Sequence, residues 1–228
     1  LYRNYWFRSD GNDSAIDILK NVVEASLLRV ELKYGDVALD IGGNVGTLLE
    51  QLPKHVVKIN IDPAANLLGD SQAKGHLTAE TYFSAEAYRA LTNRRAKLIT
   101  AIAMFYDLED PVGFCKDIAT ILTDDGLFVV QQNYLVSMLQ SQAFDNIGFE
   151  HLLYLTIENM KAILDEAGLK IVGVEILSAL GGSFRLFIKK QIAPSGEYPL
   201  QDRINLERLL VDETHLSLFT AGVEEVKT

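Results

Sequence analysis

The fold is decided by the stretch Val37-Ala-Leu-Asp-Ile-Gly-Gly-Asn-Val-Gly-Thr47, in which an apolar segment runs into a glycine-rich turn. The pattern predicts a buried strand, a sharp turn and a helix that starts near Val45, because glycine allows tight turns and close approach of a ligand. Twenty residues after Gly42, a second apolar strand ends at Asp62, where a carboxylate can accept hydrogen bonds from both hydroxyls of a ribose. The stretch therefore predicts a site for an adenosine-containing cofactor.

Composition limits the class of protein. The 228 residues are 48% hydrophobic and carry a net charge of −10, which fits one large domain and argues against nucleic acid or a membrane surface as the main partner. No run approaches the roughly 18 apolar residues that span a bilayer, and no secretory signal is visible. Cys115 is the only cysteine, so we expect no disulfide, no metal site and a cytoplasmic protein. The first residue is Leu1 rather than Met, which indicates a trimmed or partial chain.

Strands and helices alternate along the first two thirds of the chain. Apolar strands are predicted at 36–41, 55–61, 97–103 and 126–132, with a weaker strand near 77–82. Helices are predicted at 13–32, 45–52, 84–92 and 111–122, and a turn is predicted at Thr123-Asp-Asp-Gly126. Such alternation indicates an α/β domain in which helices cover both faces of a parallel sheet.

The last third follows a different pattern. After a helix at 156–168, strands at 170–177 and 184–190 are joined by a linker too short for a helical crossover, so they should be antiparallel neighbours. Residues 192–228 are more polar and contain Pro194, Gly196 and Pro199 before a helix near 201–211. We therefore predict a domain over 1–190 and a C-terminal helical tail over 191–228.

The glycine spacing bears on which cofactor is bound. A dinucleotide loop reads G-x-G-x-x-G, and its second glycine lets the backbone approach a pyrophosphate. Asn44 stands where that glycine is required, and Asp40 offers a carboxylate that could bind the ammonium group of an amino acid. Adenosine joined to an amino acid is S-adenosylmethionine. A tight turn with a purely structural role is the alternative.

The chain resembles a known family, the class I S-adenosylmethionine-dependent methyltransferases, and within it the sugar C-methyltransferases. The resemblance runs from about Tyr5 to Lys190. It rests on six segments in the family's order: Tyr5-Trp-Phe-Arg-Ser9 with Asn12, Asp40-Ile-Gly-Gly-Asn-Val-Gly-Thr47, Ile61-Asp-Pro63, Ala101-Ile-Ala-Met-Phe-Tyr-Asp-Leu-Glu-Asp-Pro111, Phe144-Asp-Asn-Ile147 with Glu150-His151, and Gly181-Gly-Ser-Phe-Arg185. It implies a Rossmann-like fold with a seven-stranded sheet, with S-adenosylmethionine as cofactor and S-adenosylhomocysteine as product.

The resemblance also implies which residues hold the cofactor. Gly42, Gly43, Asn44 and Gly46 would surround its methionine part, with Asp40 beneath them. Asp62 and Pro63 would hold the ribose, and Phe83 would pack on the adenine unless it is simply a core aromatic. Ala101, Ile102 and Ala103 would border the cofactor from the fourth strand. Tyr5 and Ser9 would cover the site, and an N-terminal segment that simply packs on the domain is the equal alternative.

His151 is the main candidate for catalysis, since histidine titrates near neutrality and suits a general base. Glu150 would orient His151 or bind a substrate hydroxyl, and Tyr106 would donate a hydrogen bond to an enolate oxygen or act as a second acid or base. The remaining two histidines of the domain, His55 and His76, lie in surface-like contexts and receive no role. Substrate contacts are predicted at Gln132, Asn133, Tyr134 and Arg185; for Arg185, a substrate phosphate and a structural ion pair are equal alternatives.

The chain departs from this branch in several ways. Members usually carry a cysteine-rich zinc module before the domain and an α/β domain after it, and we expect neither here. Gly148 and Phe149 stand where the sugar enzymes have Tyr-His, and Tyr106 stands where a histidine is common. The resulting hypothesis is C-methylation of a nucleotide-linked keto-deoxysugar with His151 as base. The alternatives are O- or N-methylation of a small molecule, and a non-catalytic cofactor-binding module of a larger assembly.

Overall fold

A single seven-stranded sheet forms the centre of the protein. The computed structural model describes residues 2–193 and 199–225. Its sheet has the strand order β3-β2-β1-β4-β5-β7-β6, with these bounds: β1 Val37–Ile41, β2 Val57–Ile61, β3 Leu77–Ala79, β4 Ala96–Ile102, β5 Leu122–Asn133, β6 Leu169–Leu177 and β7 Ser183–Lys190. The first five strands pair in parallel, whereas β7 runs antiparallel to both β5 and β6. The predicted mostly parallel sheet with an antiparallel terminal hairpin is confirmed.

Eight α-helices are present in the described residues: α1 Asp13–Leu27, α2 Thr47–Glu50, α3 Ala65–Ala73, α4 Ala85–Leu91, α5 Pro111–Ile121, α6 Leu135–Ser141, α7 Ile157–Glu166 and α8 Leu200–Glu225. Short 3-10 helices lie at Phe105–Asp107, Phe144–Asn146 and Ala179–Gly181. The sequence did not predict α3 or α6. The first helix ends five residues before its predicted end, and α8 extends well beyond its predicted end at 211.

Apolar clusters cover both faces of the sheet, as predicted for an α/β domain. On one face, α4, α5 and α7 pack over the strands with Tyr88, Cys115 and Met160, all at most 1% exposed. On the other face, α1 and α2 contribute Val22 and Leu49, which are fully buried. Burial of this apolar surface supplies most of the stability of such a fold.

The predicted turn at Thr123–Gly126 lies within β5 rather than before it. Ala96 of β4 pairs with Leu122, but Leu98 pairs with Leu127, so residues 123–126 bulge out of register. Two acidic residues in this bulge, Asp124 and Asp125, bind Lys190 and Lys97 at the same end of the sheet. The small polar residues therefore make a bulge inside a strand.

The C-terminal helix packs against the edge strand β6. Arg29, two residues after the end of α1, donates two hydrogen bonds of 2.7 Å to Asp202 of α8, and Glu213 accepts a hydrogen bond of 2.6 Å from the Tyr134 hydroxyl. Pro194 and Gly196, on which the predicted boundary partly rests, lie outside the described residues. Through Asp202 and Glu213, α8 is therefore in contact with the domain.

Candidate active site

The turn after β1 depends on residues in the left-handed backbone region. Gly42, Asn44 and Gly46 have φ values of 68°, 55° and 79°, which glycine adopts freely and asparagine tolerates better than most residues. At Gly43 the constraint is space, because a Cβ atom would lie 2.6 Å from Asn60 Oδ1 and 2.8 Å from Asp40 Oδ2. The main chain therefore forms the floor of the site without side chains at 42 and 43.

Asn44 connects this turn to the N-terminal segment, residues 2–9. Its Oδ1 atom accepts hydrogen bonds from the main-chain N–H groups of Ser9 (3.0 Å) and Val45 (2.9 Å). Its Nδ2 atom donates to the Phe7 carbonyl at 2.9 Å. Asparagine thus replaces the second glycine of a dinucleotide loop with a residue that tolerates the turn and also holds a covering segment.

The N-terminal segment is held over the sheet edge by further contacts. Asn66 of α3 exchanges two hydrogen bonds with the main chain of Tyr5, at 3.1 and 2.9 Å. The Ser9 hydroxyl lies 2.7 Å from the Thr47 hydroxyl, and Arg8 forms an ion pair of 2.7 Å with Asp70. Residues 2–9 therefore cover the turn and are held there by contacts with the turn itself, with α2 and with α3.

Two adjoining cavities lie beneath this segment, at the carboxyl ends of the parallel strands where ligands of such folds bind. The first has a volume of about 310 Å³ and is lined by Asp40, Gly42, Gly43, Asn44, Ile102, Ala103, Tyr106, Tyr5 and Ser9, among others. The second has a volume of about 130 Å³ and is lined by Asp62, Pro63, Phe83 and Asp107, and again by Tyr5, Gly42, Asn44 and Ala103. Eleven of the thirteen predicted cofactor residues thus line one cavity or both.

Gly46 and Ala101 are the two predicted residues that line neither cavity. Ala101 is fully buried within β4. A Cβ atom on Gly46 would lie 2.6 Å from His76 Nδ1 and 2.7 Å from Ser71 Oγ. Gly46 is therefore required for packing against the residues behind the turn.

His76 occupies a buried position, and its prediction as a surface-like residue was wrong. It is 6% exposed; its Nδ1 atom lies 2.9 Å from Ser71 Oγ and its Nε2 atom 2.9 Å from Glu50 Oε1. Burial lowers the pKa of this imidazole, and contact with Glu50 partly offsets that effect. The side chain supports the turn from behind.

Two buried carboxyl groups flank the turn. The Asp40 side chain accepts a hydrogen bond of 2.6 Å from the Thr100 hydroxyl, and burial raises the pKa of Asp40 to about 7. Asp62 accepts hydrogen bonds from the main-chain N–H groups of Asn44 (2.8 Å) and Ala64 (2.7 Å). Burial raises the pKa of Asp62, while these two hydrogen bonds act in the opposite direction. Each carboxylate oxygen of Asp62 keeps a second lone pair for a ligand.

His151 contacts Tyr106, which lines the first cavity, although His151 itself is not one of the residues that line it. The Tyr106 carbonyl accepts hydrogen bonds from the N–H groups of Leu152 (2.9 Å) and Leu153 (3.0 Å), which brings the His151 segment to the end of β4. The two ring centroids lie 4.2 Å apart. The structure thus brings these two predicted residues into ring contact.

The hydrogen bonding of His151 defines which ring nitrogen carries the proton. Its Nδ1 atom lies 3.0 Å from the Asn146 carbonyl oxygen. A carbonyl can only accept, so Nδ1 donates and Nε2 of the neutral ring carries the free lone pair. The two departures next to it leave this geometry intact: Phe149 is 85% exposed, and a Cβ atom on Gly148 would approach nothing closer than 3.5 Å.

Asp107 is a site residue that the sequence analysis did not identify. It lines the second cavity, and its buried Oδ1 atom has no hydrogen-bond partner in the described part of the chain. Burial raises the pKa of Asp107 to about 6; Glu150 raises it further, whereas Tyr2 and His151 lower it. Tyr2 is near enough to influence Asp107, yet its hydroxyl also lacks a partner with hydrogen-bond geometry. The sequence signal was only an acid in the segment after the fourth strand, since Asp107 ends the 3-10 helix that follows β4.

The predicted substrate contacts lie apart from these two cavities. The Tyr134 hydroxyl is bound to Glu213, and Gln132 is fully buried with both amide atoms unpartnered among the described residues. Arg185, 1% exposed, forms an ion pair of 2.9 Å with Glu175. Of the two alternatives for Arg185, the ion pair is the one present in the structure. Asn133, at the end of β5, pairs with Ser183 of β7.

Residues 2–193 and 199–225 contain no group of three or more His, Cys, Asp or Glu side chains arranged to bind a metal ion. Within those same ranges, no helix has both the length and the apolar character needed to cross a bilayer.

Comparison with known proteins identifies the family. A family model described as a methyltransferase domain matches residues 17–174. The C-methyltransferase NovU of Streptomyces niveus is 28% identical over 190 residues, which are 82% of this chain and 45% of NovU. The chain thus spans less than half the length of this curated relative.

Solved structures agree at the level of the fold. An S-adenosylmethionine-dependent methyltransferase from Clostridium acetobutylicum superposes with a TM-score of 0.60 at 14% identity, covering 80% of this chain and 93% of that one. The N-methyltransferase NodS from Bradyrhizobium japonicum gives a TM-score of 0.57 at 19% identity, covering 79% and 98%. The chain therefore belongs to the methyltransferase domain family and has the fold of S-adenosylmethionine-dependent methyltransferases.

Proposed function

We propose that the chain transfers a methyl group from S-adenosylmethionine to a small-molecule acceptor. The residues around the two cavities fit this cofactor. Gly42 and Gly43 leave an open main-chain floor for its methionine part, and Asp40 supplies a carboxyl group for the ammonium. Asp62 supplies a second carboxyl group for the ribose, beside the apolar ring of Phe83 for the adenine.

The protein's own part in the reaction is positioning and proton transfer. When bound, the cofactor supplies a methyl group that is already activated, so the acceptor must be held in line and its nucleophilic atom prepared. The hydrogen bond between His151 Nδ1 and the Asn146 carbonyl carries the proposal for the base, because it leaves Nε2 free to take a proton. The Tyr106 hydroxyl, whose pKa is raised by burial and by nearby Asp107, stays protonated and can donate a hydrogen bond.

For the acceptor, we propose a nucleotide-linked keto-deoxysugar that is methylated at carbon. His151 would remove a proton from the carbon next to the carbonyl group, and Tyr106 would stabilise the enolate oxygen that results. Similarity to NovU, a C-methyltransferase, supports carbon as the accepting atom. Glu150 stays the proposed partner of His151 or of a substrate hydroxyl, and Gln132 and Asn133 remain proposed acceptor contacts.

Methylation at oxygen or nitrogen is the second candidate, and one observation favours it. Asp107 has an unpartnered buried oxygen and a pKa raised by burial to about 6, so it can take a proton from a hydroxyl or ammonium group near neutral pH. In that case Asp107, rather than His151, would be the base.

Replacing His151 by Ala tests the leading proposal. General bases contribute about 10²–10⁴-fold to rate, so we expect turnover to fall by that factor while affinity for S-adenosylhomocysteine changes less than about twofold. Turnover is followed with ¹³C-methyl-labelled cofactor on a panel of keto-sugar nucleotides, and product NMR distinguishes a methyl group on carbon from one on oxygen or nitrogen.

Two comparison variants make the result specific. His55→Ala changes a histidine whose Nε2 atom instead contacts the Leu32 carbonyl and should leave turnover unchanged. Asp107→Asn should reduce turnover strongly only if the acceptor atom is oxygen or nitrogen. Full turnover by His151→Ala would refute His151 as the base. If the unaltered chain does not bind S-adenosylhomocysteine, the proposed cofactor is refuted, and with it both proposed methylation reactions.

A further inference from the structure

A third cavity of about 440 Å³ lies beside the first one, between α1 and the β6–β7 hairpin. Ile18 of α1 lines both cavities, so they adjoin along that helix. The third cavity is lined mainly by polar side chains: Ser14, Asp17, Asn21, Gln131, Ser178 and Arg185. A molecule whose reacting atom lies near Tyr106 in the first cavity can extend past Ile18 into the third.

Gln131 is the observation that points to a ligand here. Its side chain is fully buried, and its Oε1 atom accepts a hydrogen bond of 2.8 Å from Arg185 Nε. Its Nε2 atom has no acceptor in the part of the chain that the structure describes. Buried amide groups in native proteins nearly always have a partner, so an unpartnered N–H beside a cavity indicates an acceptor atom on a bound molecule.

The charges around the cavity decide what kind of molecule fits. Arg185 is neutralised by Glu175 at 2.9 Å, and Glu175 also binds Arg29, which in turn binds Asp202. These two cations and two anions balance one another. Asp17 is exposed at the cavity and makes no ion pair among the described residues. The cavity therefore has one net negative charge, which opposes a phosphate group.

We propose that the third cavity is an acceptor subsite for an uncharged, hydroxyl-bearing ring, and that it disfavours a phosphate group. Gln131 Nε2 would donate to a hydroxyl or ring oxygen of the acceptor, while the hydroxyls of Ser14 and Ser178 can donate or accept as needed. The acceptor's charged part, if it has one, would leave the site elsewhere. The inference rests on the proposed function, since it places part of the methyl acceptor.

Side-chain amide resonances give a direct test on the ¹⁵N-labelled full chain. The probes are methyl α-D-glucopyranoside and α-D-glucose 1-phosphate, which carry the same ring with and without a charge. We expect the Gln131 amide resonances to shift on titration with the neutral glucoside. The phosphate ester should bind at least about threefold more weakly, because of repulsion from Asp17.

Three variants separate the steps of the argument. Gln131→Glu keeps the oxygen that accepts from Arg185 but removes the free N–H, so it should weaken glucoside binding about tenfold. The same variant assigns the Gln131 side-chain amide resonances, because they disappear from its spectrum. Ser178→Leu blocks the cavity from its exposed rim without touching the buried network, and should cause a similar loss. Asp17→Asn should strengthen binding of the phosphate ester about threefold and leave the glucoside within about twofold.

Glu24→Gln changes another acid of α1 that lies outside the cavity lining and should have no effect on either probe. The inference would be overturned if the Gln131 amide resonances do not shift at high glucoside concentration, or if the phosphate ester binds more tightly than the glucoside. Calorimetry with S-adenosylhomocysteine on the same samples keeps the two proposals apart. Cofactor binding without glucoside binding refutes only the subsite, whereas absence of cofactor binding refutes the proposed function.

Discussion

Burial beneath the glycine turn determines the pH at which the Asp40 carboxyl group ionises. Only 4% of the residue is exposed, and burial raises its pKa from the ordinary 3.8 to about 7. An acid whose pKa is higher in the folded than in the unfolded state holds its proton up to that pKa. Its contribution to the free energy of unfolding therefore decreases as pH rises from about 4 to about 7. Above pH 7 the side chain is an anion that can bind an ammonium group.

Affinity for S-adenosylhomocysteine should therefore increase with pH. If only ionised Asp40 binds the ammonium group, the fraction of protein molecules with ionised Asp40 rises about tenfold between pH 6 and pH 8. The dissociation constant should fall by the same factor. Isothermal calorimetry at several pH values measures this. Asp40→Asn should bind weakly with little pH dependence, and an equal slope in that variant would assign the titration to another group.

Asn44 is the residue that connects the glycine turn to the N-terminal segment covering it. Asn44→Gly keeps the left-handed conformation accessible but removes the side-chain hydrogen bonds to Ser9, Val45 and Phe7. We expect the N-terminal segment to open more often, with trypsin cleavage after Arg8 about tenfold faster and S-adenosylhomocysteine affinity about tenfold lower.

Asn93→Gly, at an exposed bend, is the matched substitution and should change neither quantity. Faster cleavage without loss of affinity would mean that residues 2–9 only pack on the domain, which is the alternative that the sequence left open for Tyr5 and Ser9.

The residues that could be predicted from the sequence are those whose position follows from a local rule. Asp40 and Asp62 lie at the ends of apolar strands, and parallel strands bring such ends to one edge. The burial of His76 could not be predicted, because it depends on contact with Gly46, thirty positions away, and no local pattern indicates that contact. Asp107 was missed since an acid in a loop gives no sign in the sequence that its oxygen will be buried.

At the level of elements, the three most accurately predicted helices begin at a capping side chain, whereas α2 was predicted from the glycine turn although Gly46 has no side chain to cap it. Ser84, Asp110 and Thr156 each accept a hydrogen bond at the start of α4, α5 and α7, and these helices were predicted to within two residues at either end. The two missed helices, α3 and α6, follow Ala64 and Tyr134, which cap no N–H group with their side chains. With neither a capping side chain nor a glycine-rich turn before them, these two segments are distinguished from loops by their tertiary packing.

One helix start depends on a residue from a distant element. Glu213 of α8 accepts hydrogen bonds from the N–H groups of Ile157 and Glu158, both 2.8 Å, and from the Tyr134 hydroxyl. A carboxylate is favoured at a helix N-terminus by the free N–H groups and by the helix dipole. Glu213 thus joins α8, α7 and the end of β5.

Glu213→Gln should lower the free energy of unfolding by about 2 kcal/mol, because the buried N–H groups and the phenol lose a charged acceptor. Urea denaturation followed by circular dichroism measures the change. Glu207→Gln, an exposed acid on the same helix, should stay within about 0.5 kcal/mol of the unaltered chain. A similar loss in both variants would trace the effect to helix propensity rather than to the buried contacts.

At the scale of the whole molecule, a buried charge network connects elements that are far apart in sequence. Arg29 lies between Asp202 and Glu175, with its guanidinium carbon 3.6 Å from the centre of the Phe187 ring. Gly173, at a register shift in β6, makes room for Asp202, since a Cβ atom there would lie 2.6 Å from Asp202 Oδ2. The sequence predicted a separate helical tail after residue 190, because charges just after α1, in β6 and in α8 give no local sign that they pair.

We propose that residues 1–190 form the methyltransferase domain and that the tail, docked through this network, unfolds with it. Asp202→Asn leaves Arg29 buried with only half of its compensating charge, which should lower the free energy of unfolding by about 3 kcal/mol in a single transition. Urea denaturation, followed both by circular dichroism and by the fluorescence of Trp6, tests whether the transitions coincide. Asp212→Asn, which alters an exposed ion pair on the same helix, should cost less than about 1 kcal/mol. A docked helix that shares a buried charge network cannot detach without weakening the sheet edge that it covers. If Asp202→Asn leaves the main unfolding transition unchanged and only makes the tail more sensitive to protease, the tail is therefore an independent unit.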